Sequence, residues 1–322
     1  MRTQFKLLTV MLLIVLWSVA GCTSAASQPV VTPEAAEVPT EMPTDVPEPT
    51  AVPEPTVNPA TAVVLDMIER ANAEDYAGAA ELVADDMMAY FIGMPPTGME
   101  IYRGKEQFQT FLEECCTGAN FEWEVIPKRV EDGVVFAESK TWMDFTRQLG
   151  VAPNSWHEIF VVEDGKITLY VSMITEEALA NFKPALAAVM PELFEVALPE
   201  GETPVSEVTF TIADGTCAYD GPMTLQAGEV TVNVAVQDEI WEKYAVTLFT
   251  LDEGKDMLDL MASTYNAGPP SWSNLLFLEE LAPAANETYQ GVAVDEGLLY
   301  MVCWGGSPDI AIGNAGPFVV TP

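Results

Sequence analysis

Phe160-Val161-Val162-Glu163-Asp164-Gly165-Lys166-Ile167 reads as two β-runs closed by an Asp-Gly turn. Asp-Gly suits a two-residue hairpin, because both turn positions need positive φ. With a turn of only Asp164 and Gly165, Glu163 pairs with Lys166, Val162 with Ile167, Phe160 with Leu169, Glu158 with Val171 and Trp156 with Met173. Paired residues share a face. One face then carries Trp156, Glu158, Phe160, Val162, Ile167, Leu169, Val171 and Met173, and the other His157, Ile159, Val161, Thr168, Tyr170 and Ser172. The same alternation puts Val135, Ala137, Ser139, Thr141, Met143 and Phe145 inside on the preceding strand, with Glu138 and Lys140 outside. Phe121, Trp123 and Val125 are inside on the strand before that.

Upstream of this hairpin, Val63, Val64, Met67, Ile68 and Ala71 recur at helical spacing and predict a helix near 61–74. A second helix follows near 77–86, a short strand near 88–92, and a helix after Gly104 carrying Phe108, Phe111 and Leu112. Strands are expected near 121–129, 133–146, 154–163 and 166–174, so helices precede a long antiparallel sheet in an α+β arrangement. Leu82-Val83-Ala84-Asp85-Asp86, Tyr102-Arg103-Gly104-Lys105 and the hairpin itself resemble the nuclear transport factor 2-like superfamily, with its SnoaL-like and ketosteroid isomerase-like members. The resemblance covers 61–183. It implies a cone-shaped domain whose curved sheet wraps the helices around a pocket.

In that frame Glu158 is the one acid on an otherwise apolar inner face, where burial raises a carboxyl pKa. The ligand pocket expected from the register comprises Tyr90, Trp123, Thr141, Met143, Phe145, Trp156, Glu158 and Met173. Glu158 is the single candidate for catalysis, and no second acid pairs with it, so a non-enzymatic role is the expectation. The chain's one His, His157, falls on the outer face. The adjacent Cys115 and Cys116 can form a vicinal disulfide or stay as two thiols.

Residues 1–22 have the form of a lipoprotein signal. Arg2 and Lys6 precede an apolar stretch from Leu7 to Val19, and Val19-Ala20-Gly21-Cys22 resembles a lipobox in which Cys22 takes the lipid. Residues 23–60, rich in Pro, Thr and Glu, read as a disordered tether. Together they predict an extracytoplasmic protein anchored to the bacterial cell membrane through Cys22.

Residues 184–202 read as a helical turn followed by a linker, and the segment 203–322 is a series of short β-runs: Val205 to Ile212, Glu229 to Val236, Tyr244 to Leu251, Tyr289 to Val294 and Leu298 to Trp304, with one helix near 255–263. This predicts an all-β Greek-key sandwich. Gly221-Pro222-Met223-Thr224-Leu225-Gln226-Ala227-Gly228-Glu229-Val230 and Gly297-Leu298-Leu299-Tyr300-Met301-Val302-Cys303 resemble segments of cupredoxin-like sandwiches. A blue-copper site needs two His beside its Cys, and this segment has none, so no metal and no cofactor is expected. In an oxidising compartment Cys217 and Cys303 are expected to pair.

Charge narrows the partners. Lys and Arg number 13 and Asp and Glu 49, a net charge of −36, which repels phosphate backbones and excludes nucleic acid. From Pro184 on, Lys243 and Lys255 face 21 acids, with no run at the spacing of a calcium loop. The expected role is a membrane-tethered binding module of the cell envelope for a small apolar ligand or a partner. The alternative is a pocket isomerase, cyclase or hydratase using Glu158 as general base. The resemblance further implies a homodimer through the outer sheet face of the first domain.

Overall fold

The first helix, α1 (Pro59–Asn72), begins where Asn58 Oδ1 accepts the Ala60 N–H and Pro59 occupies the first turn, two residues earlier than expected. It buries Val64, Met67, Ile68 and Ala71. The computed structural model describes residues 58–95, 98–194, 201–264, 268–306 and 309–322; Cys22, the leader and nearly all of the tether lie outside them. The next helix, α2 (Tyr76–Ala80), is far shorter than 77–86, and β1 (Val83–Met94) takes over its second half by pairing parallel to β6 (Lys166–Ile174). Strand β2 (Gly98–Arg103), absent from the sequence reading, hairpins back on β1. Then come α3 (Gly104–Cys116), β3 (Glu122–Glu131), β4 (Val134–Trp142), α4 (Asp144–Gln148), β5 (Asn154–Glu163) and α5 (Glu176–Val189).

These strands form one six-stranded sheet in the order β2-β1-β6-β5-β4-β3. Its inner face packs on α1, α2 and α3 through a core of Met67, Met87, Phe91, Phe108, Leu112, Trp123, Phe160 and Tyr170. The Asp164-Gly165 turn has the expected two residues, both at positive φ, and Asp132-Gly133 repeats it between β3 and β4.

The register beyond that turn differs from the expectation. Val162 pairs with Ile167, but Val161 pairs with Leu169, so Thr168 is an extra residue on β6. This β-bulge reverses the faces of everything after it. Tyr170, Ser172 and Ile174 now share the inner side with Phe160, Glu158 and Trp156, while Leu169, Val171 and Met173 point out. A second bulge, at Lys128, does the same to β3: Arg129 pairs with Phe136 on the outer side.

Helix α5 runs through the region expected to begin a linker. Pro184 sits inside it, where the lost backbone bond and the clash of the ring together cost about 3 kcal/mol. The helix persists because Phe182 and Leu186 are buried with Leu258 and Ala262.

The second half contains β7 (Glu207–Ala213), β8 (Thr216–Tyr219), β9 (Thr224–Gln226), β10 (Gly228–Val236), β11 (Tyr244–Leu251), α6 (Met257–Ala262), β12 (Ser273–Leu281), β13 (Asn286–Val294), β14 (Gly297–Gly305) and β15 (Ile310–Thr321). Strands β8, β12 and β15 were not anticipated from the sequence. A four-stranded sheet, β13-β10-β7-β8, and a five-stranded sheet, β12-β11-β14-β15-β9, share one apolar core. Cys217 on β8 and Cys303 on β14 join the two sheets in a disulfide, and Cys115 is joined to Cys116 at the end of α3.

The outer face of the six-stranded sheet is covered by the chain's own second half. Tyr90, Ile92, Ile159, Leu169, Val171 and Met173 belong to the same buried cluster as Phe210, Tyr244, Met261 and Ile312. The described residues make one compact unit. The face assigned to a second copy is therefore largely occupied within the chain.

Candidate functional site

Glu158 lies at the centre of β5, 1% exposed on the inner face of the sheet. Its Oε1 accepts a hydrogen bond from Ser139 Oγ at 2.5 Å. Its Oε2 has no hydrogen-bond partner among the described residues, and neither has the buried Nε1 of Trp123. Burial pushes the carboxyl up to about 8, and the side chains of Ser139, Tyr170, Ser172 and Trp123 pull back only part of that rise. Tyr170, buried on the neighbouring strand, is itself raised by burial and by the adjacent Glu158. Its ring stacks on Phe160 at 4.7 Å and lies 5.8 Å from Trp123.

A carboxyl with a pKa near 8 is mostly protonated at neutral pH. It can then act as a donor, and neither Oε2 nor the Trp123 N–H makes a well-formed hydrogen bond, although Trp123 lies close enough to act on the carboxyl. Buried polar groups without partners are uncommon, because each forfeits about 1–3 kcal/mol.

The structure brings only part of the expected pocket together. Trp123 belongs to the inner cluster and Glu158 shares its face, and Trp156 donates from Nε1 to Thr141 Oγ1 at 2.8 Å on the same side. Phe145 lies on α4, not on a strand, and packs with the cluster containing Trp156, Ile174 and Phe182. Met143 is the residue preceding α4, because β4 ends at Trp142 and not at residue 146. Tyr90 and Met173 are on the opposite side of the sheet. Met173 was turned outward by the bulge at Thr168, and Tyr90 follows because it is level with Val171 on the parallel neighbour. Tyr90 Oη donates to the Gly215 carbonyl at 2.6 Å in the second half.

Three residues near the carboxyl or on its face were missed. Tyr170 and Ser172 were placed outside by the unbulged register, and Asn154, 5% exposed with its Oδ1 unpartnered, was not considered. No sequence signal marks the bulge, because both faces of β6 are buried and apolar residues fit either phase. His157 is on the outer face as the register predicted, and burial lowers its pKa. Among the described residues no group of three or more His, Cys, Asp or Glu could hold a metal, and no helix is long and apolar enough to cross a membrane.

The family comparison matches this half of the chain, over residues 64–170, to the SnoaL-like domain. Residues 64–170 are a SnoaL-like domain. Among solved structures, an NTF2-like protein of unknown function from Cytophaga hutchinsonii is similar at 15% identity, covering 39% of this chain and 98% of that one with a TM-score of 0.31. An LEH-like epoxide hydrolase of M. tuberculosis is similar at 18% identity, covering 41% and 96%, with a TM-score of 0.32. An NTF-2-like protein of unknown function from Burkholderia xenovorans is similar at 15% identity over 36% and 82%, with a TM-score of 0.30. No curated protein matches the chain.

Proposed function

We propose that this chain is a lipid-anchored, extracytoplasmic binding protein whose SnoaL-like domain takes a small, mainly apolar ligand bearing one hydrogen-bond acceptor. The supporting observation is the buried Glu158 carboxyl, whose Oε2 and whose neighbour Trp123 Nε1 lack a well-formed hydrogen bond, in a surround of aromatic and aliphatic side chains. Anchoring rests on the sequence of the leader, Val19-Ala20-Gly21-Cys22, and on the Pro-rich tether behind it. A stable hold on the bilayer needs more than one acyl chain, which a lipidated Cys22 supplies.

The second reading is a pocket enzyme of the isomerase, cyclase or hydratase type. The carboxyl near pH 8 favours an acid in such a reaction over a base, because at neutral pH little of it is ionised. The two readings part at Glu158→Gln. Gln keeps a donor at the same place, so a binding protein retains affinity within about threefold, whereas an enzyme keeps its fold and loses turnover.

The test is calorimetric titration of the soluble chain with cyclic ketones of increasing size, beside Glu158→Gln and Trp123→Phe. Saturable binding that survives Glu158→Gln and weakens roughly tenfold in Trp123→Phe, about 1.4 kcal/mol, supports the reading. Absence of binding by the wild-type chain overturns it. Anchoring is checked in cells, where Cys22→Ser should move the protein out of the membrane fraction.

A further inference from the structure

On the other side of the sheet, a cavity of about 260 Å³ lies between the two halves of the chain. Phe136, Ile159 and Met173 line it from the first half, and Ile310 and Ala311 from the second. Arg129, Asp309 and Thr264 add polar groups to this apolar wall. Ligand sites favour such junctions, and the volume lies just under the roughly 300–1,000 Å³ of pockets for drug-sized molecules.

Two of these residues reach the cavity through local departures from regular pairing. The extra residue Lys128 turns Arg129 to the outer face, opposite Phe136, and the extra residue Thr168 turns Met173 the same way. Bulges re-aim side chains at functional places and interrupt the ladder that a regular strand would keep. Without the first, Arg129 would point into the apolar cone.

The charges at the cavity are opposite in sign and come from different halves. The Arg129 guanidinium lies over the Phe136 ring at 4.0 Å, and its ion pair with Glu131 runs through Nε at 3.4 Å. That contact is the one recorded between the two side chains, and the terminal nitrogens are the pair suited to a carboxylate fork. Asp309 holds Lys243 through Oδ1 at 2.8 Å. Arg129 and Asp309 do not pair with each other.

We infer that this cavity binds a small zwitterion with an apolar side chain, chemically a free apolar amino acid. Its carboxylate meets Arg129, its ammonium meets Asp309, and its side chain rests on Phe136, Ile159, Met173 and Ile310. The site is independent of Glu158, which lies on the opposite face of the sheet, so either proposal can fail alone.

The test is titration of the whole soluble chain with L-phenylalanine and L-leucine, beside phenylacetate and phenethylamine, each lacking one charge. Expected are saturable binding of the amino acids, at least tenfold weaker binding of both single-charge analogues, and a tenfold or greater loss in Arg129→Gln and in Asp309→Asn. Both side chains are more than half exposed, so the variants should melt within a few degrees of the wild type. Glu158→Gln should bind the amino acids unchanged. The inference is overturned if the wild-type chain binds neither amino acid at millimolar concentration. It is equally overturned if either analogue binds as well as the amino acids, or if both variants bind like the wild type.

Discussion

Glu158 is a carboxyl that the fold keeps neutral. Its pKa rises from an ordinary value of 4.5 to about 8, so the folded state holds a proton that the unfolded state releases in between. The sign follows from linkage: whatever stability the neutral group provides is complete below about pH 4.5 and is lost as pH rises to about 8. In denaturant titrations the wild-type chain should lose stability across that window. Glu158→Gln, which cannot ionise, should lack that loss, keep only the opposite rise that His157 gives up to its ordinary 6.5, and exceed the wild type at pH 9. Parallel curves for the two proteins would show that the carboxyl is solvated. The sequence marked Glu158 as the acid among apolar neighbours, and alternation on β4 put Ser139 on its face. It did not reveal Tyr170 and Ser172, whose side of the sheet depends on one unpaired threonine.

Helix α5 is one of the elements that tie the halves together. Lys183 bonds Asp256 at 2.8 Å and Asp259 at 2.6 Å on α6, and its side chain is 22% exposed. Lys183 holds Asp259 below the ordinary carboxylate range, so this contribution is present above that range and fades as pH falls through the lowered value. Lys183→Met leaves Asp256 without its cation and Asp259 with Lys255 alone, at 3.2 Å, and should cost about 2 kcal/mol at neutral pH. Phe182→Ala, beside it in the buried cluster, should cost about 3–5 kcal/mol. Chemical denaturation checks both; a loss below about 0.5 kcal/mol in each would mean that the helix end frays away from α6. Pro184 made this stretch read as the start of a linker, and only the partner helix explains why the chain stays helical across it.

At the scale of the whole molecule, the outer sheet face has been given to the second half of the chain. Asp214 and Gly215 close the β7–β8 hairpin, both at positive φ, and the hairpin tip presses on β1. A Cβ on Gly215 would stand 3.0 Å from Met88 Cε and 3.1 Å from Tyr90 Oη. Arg103 adds a bond from Nη2 to Thr216 Oγ1 at 2.9 Å. A chain ending at residue 194 would bare Tyr90, Ile92, Val171 and Met173 to water. It should therefore aggregate or melt well below the full chain, in one transition for the full chain where independent halves would give two. Calorimetry of both forms decides it, and a truncated form as stable as the whole would refute the shared core.

The sequence alone determined the order of most elements, the two-residue Asp-Gly turn, the alternation on β4 and β5, and the solitary buried acid. These are local properties, written in turn chemistry and in period-two patterning within a few residues. Tertiary structure decided which side of the sheet β6 shows beyond Thr168, where Arg129 points, and what covers the outer face. In a strand buried on both sides, such as β6, apolar residues fit either phase, so the choice falls to packing partners distant in sequence on both faces.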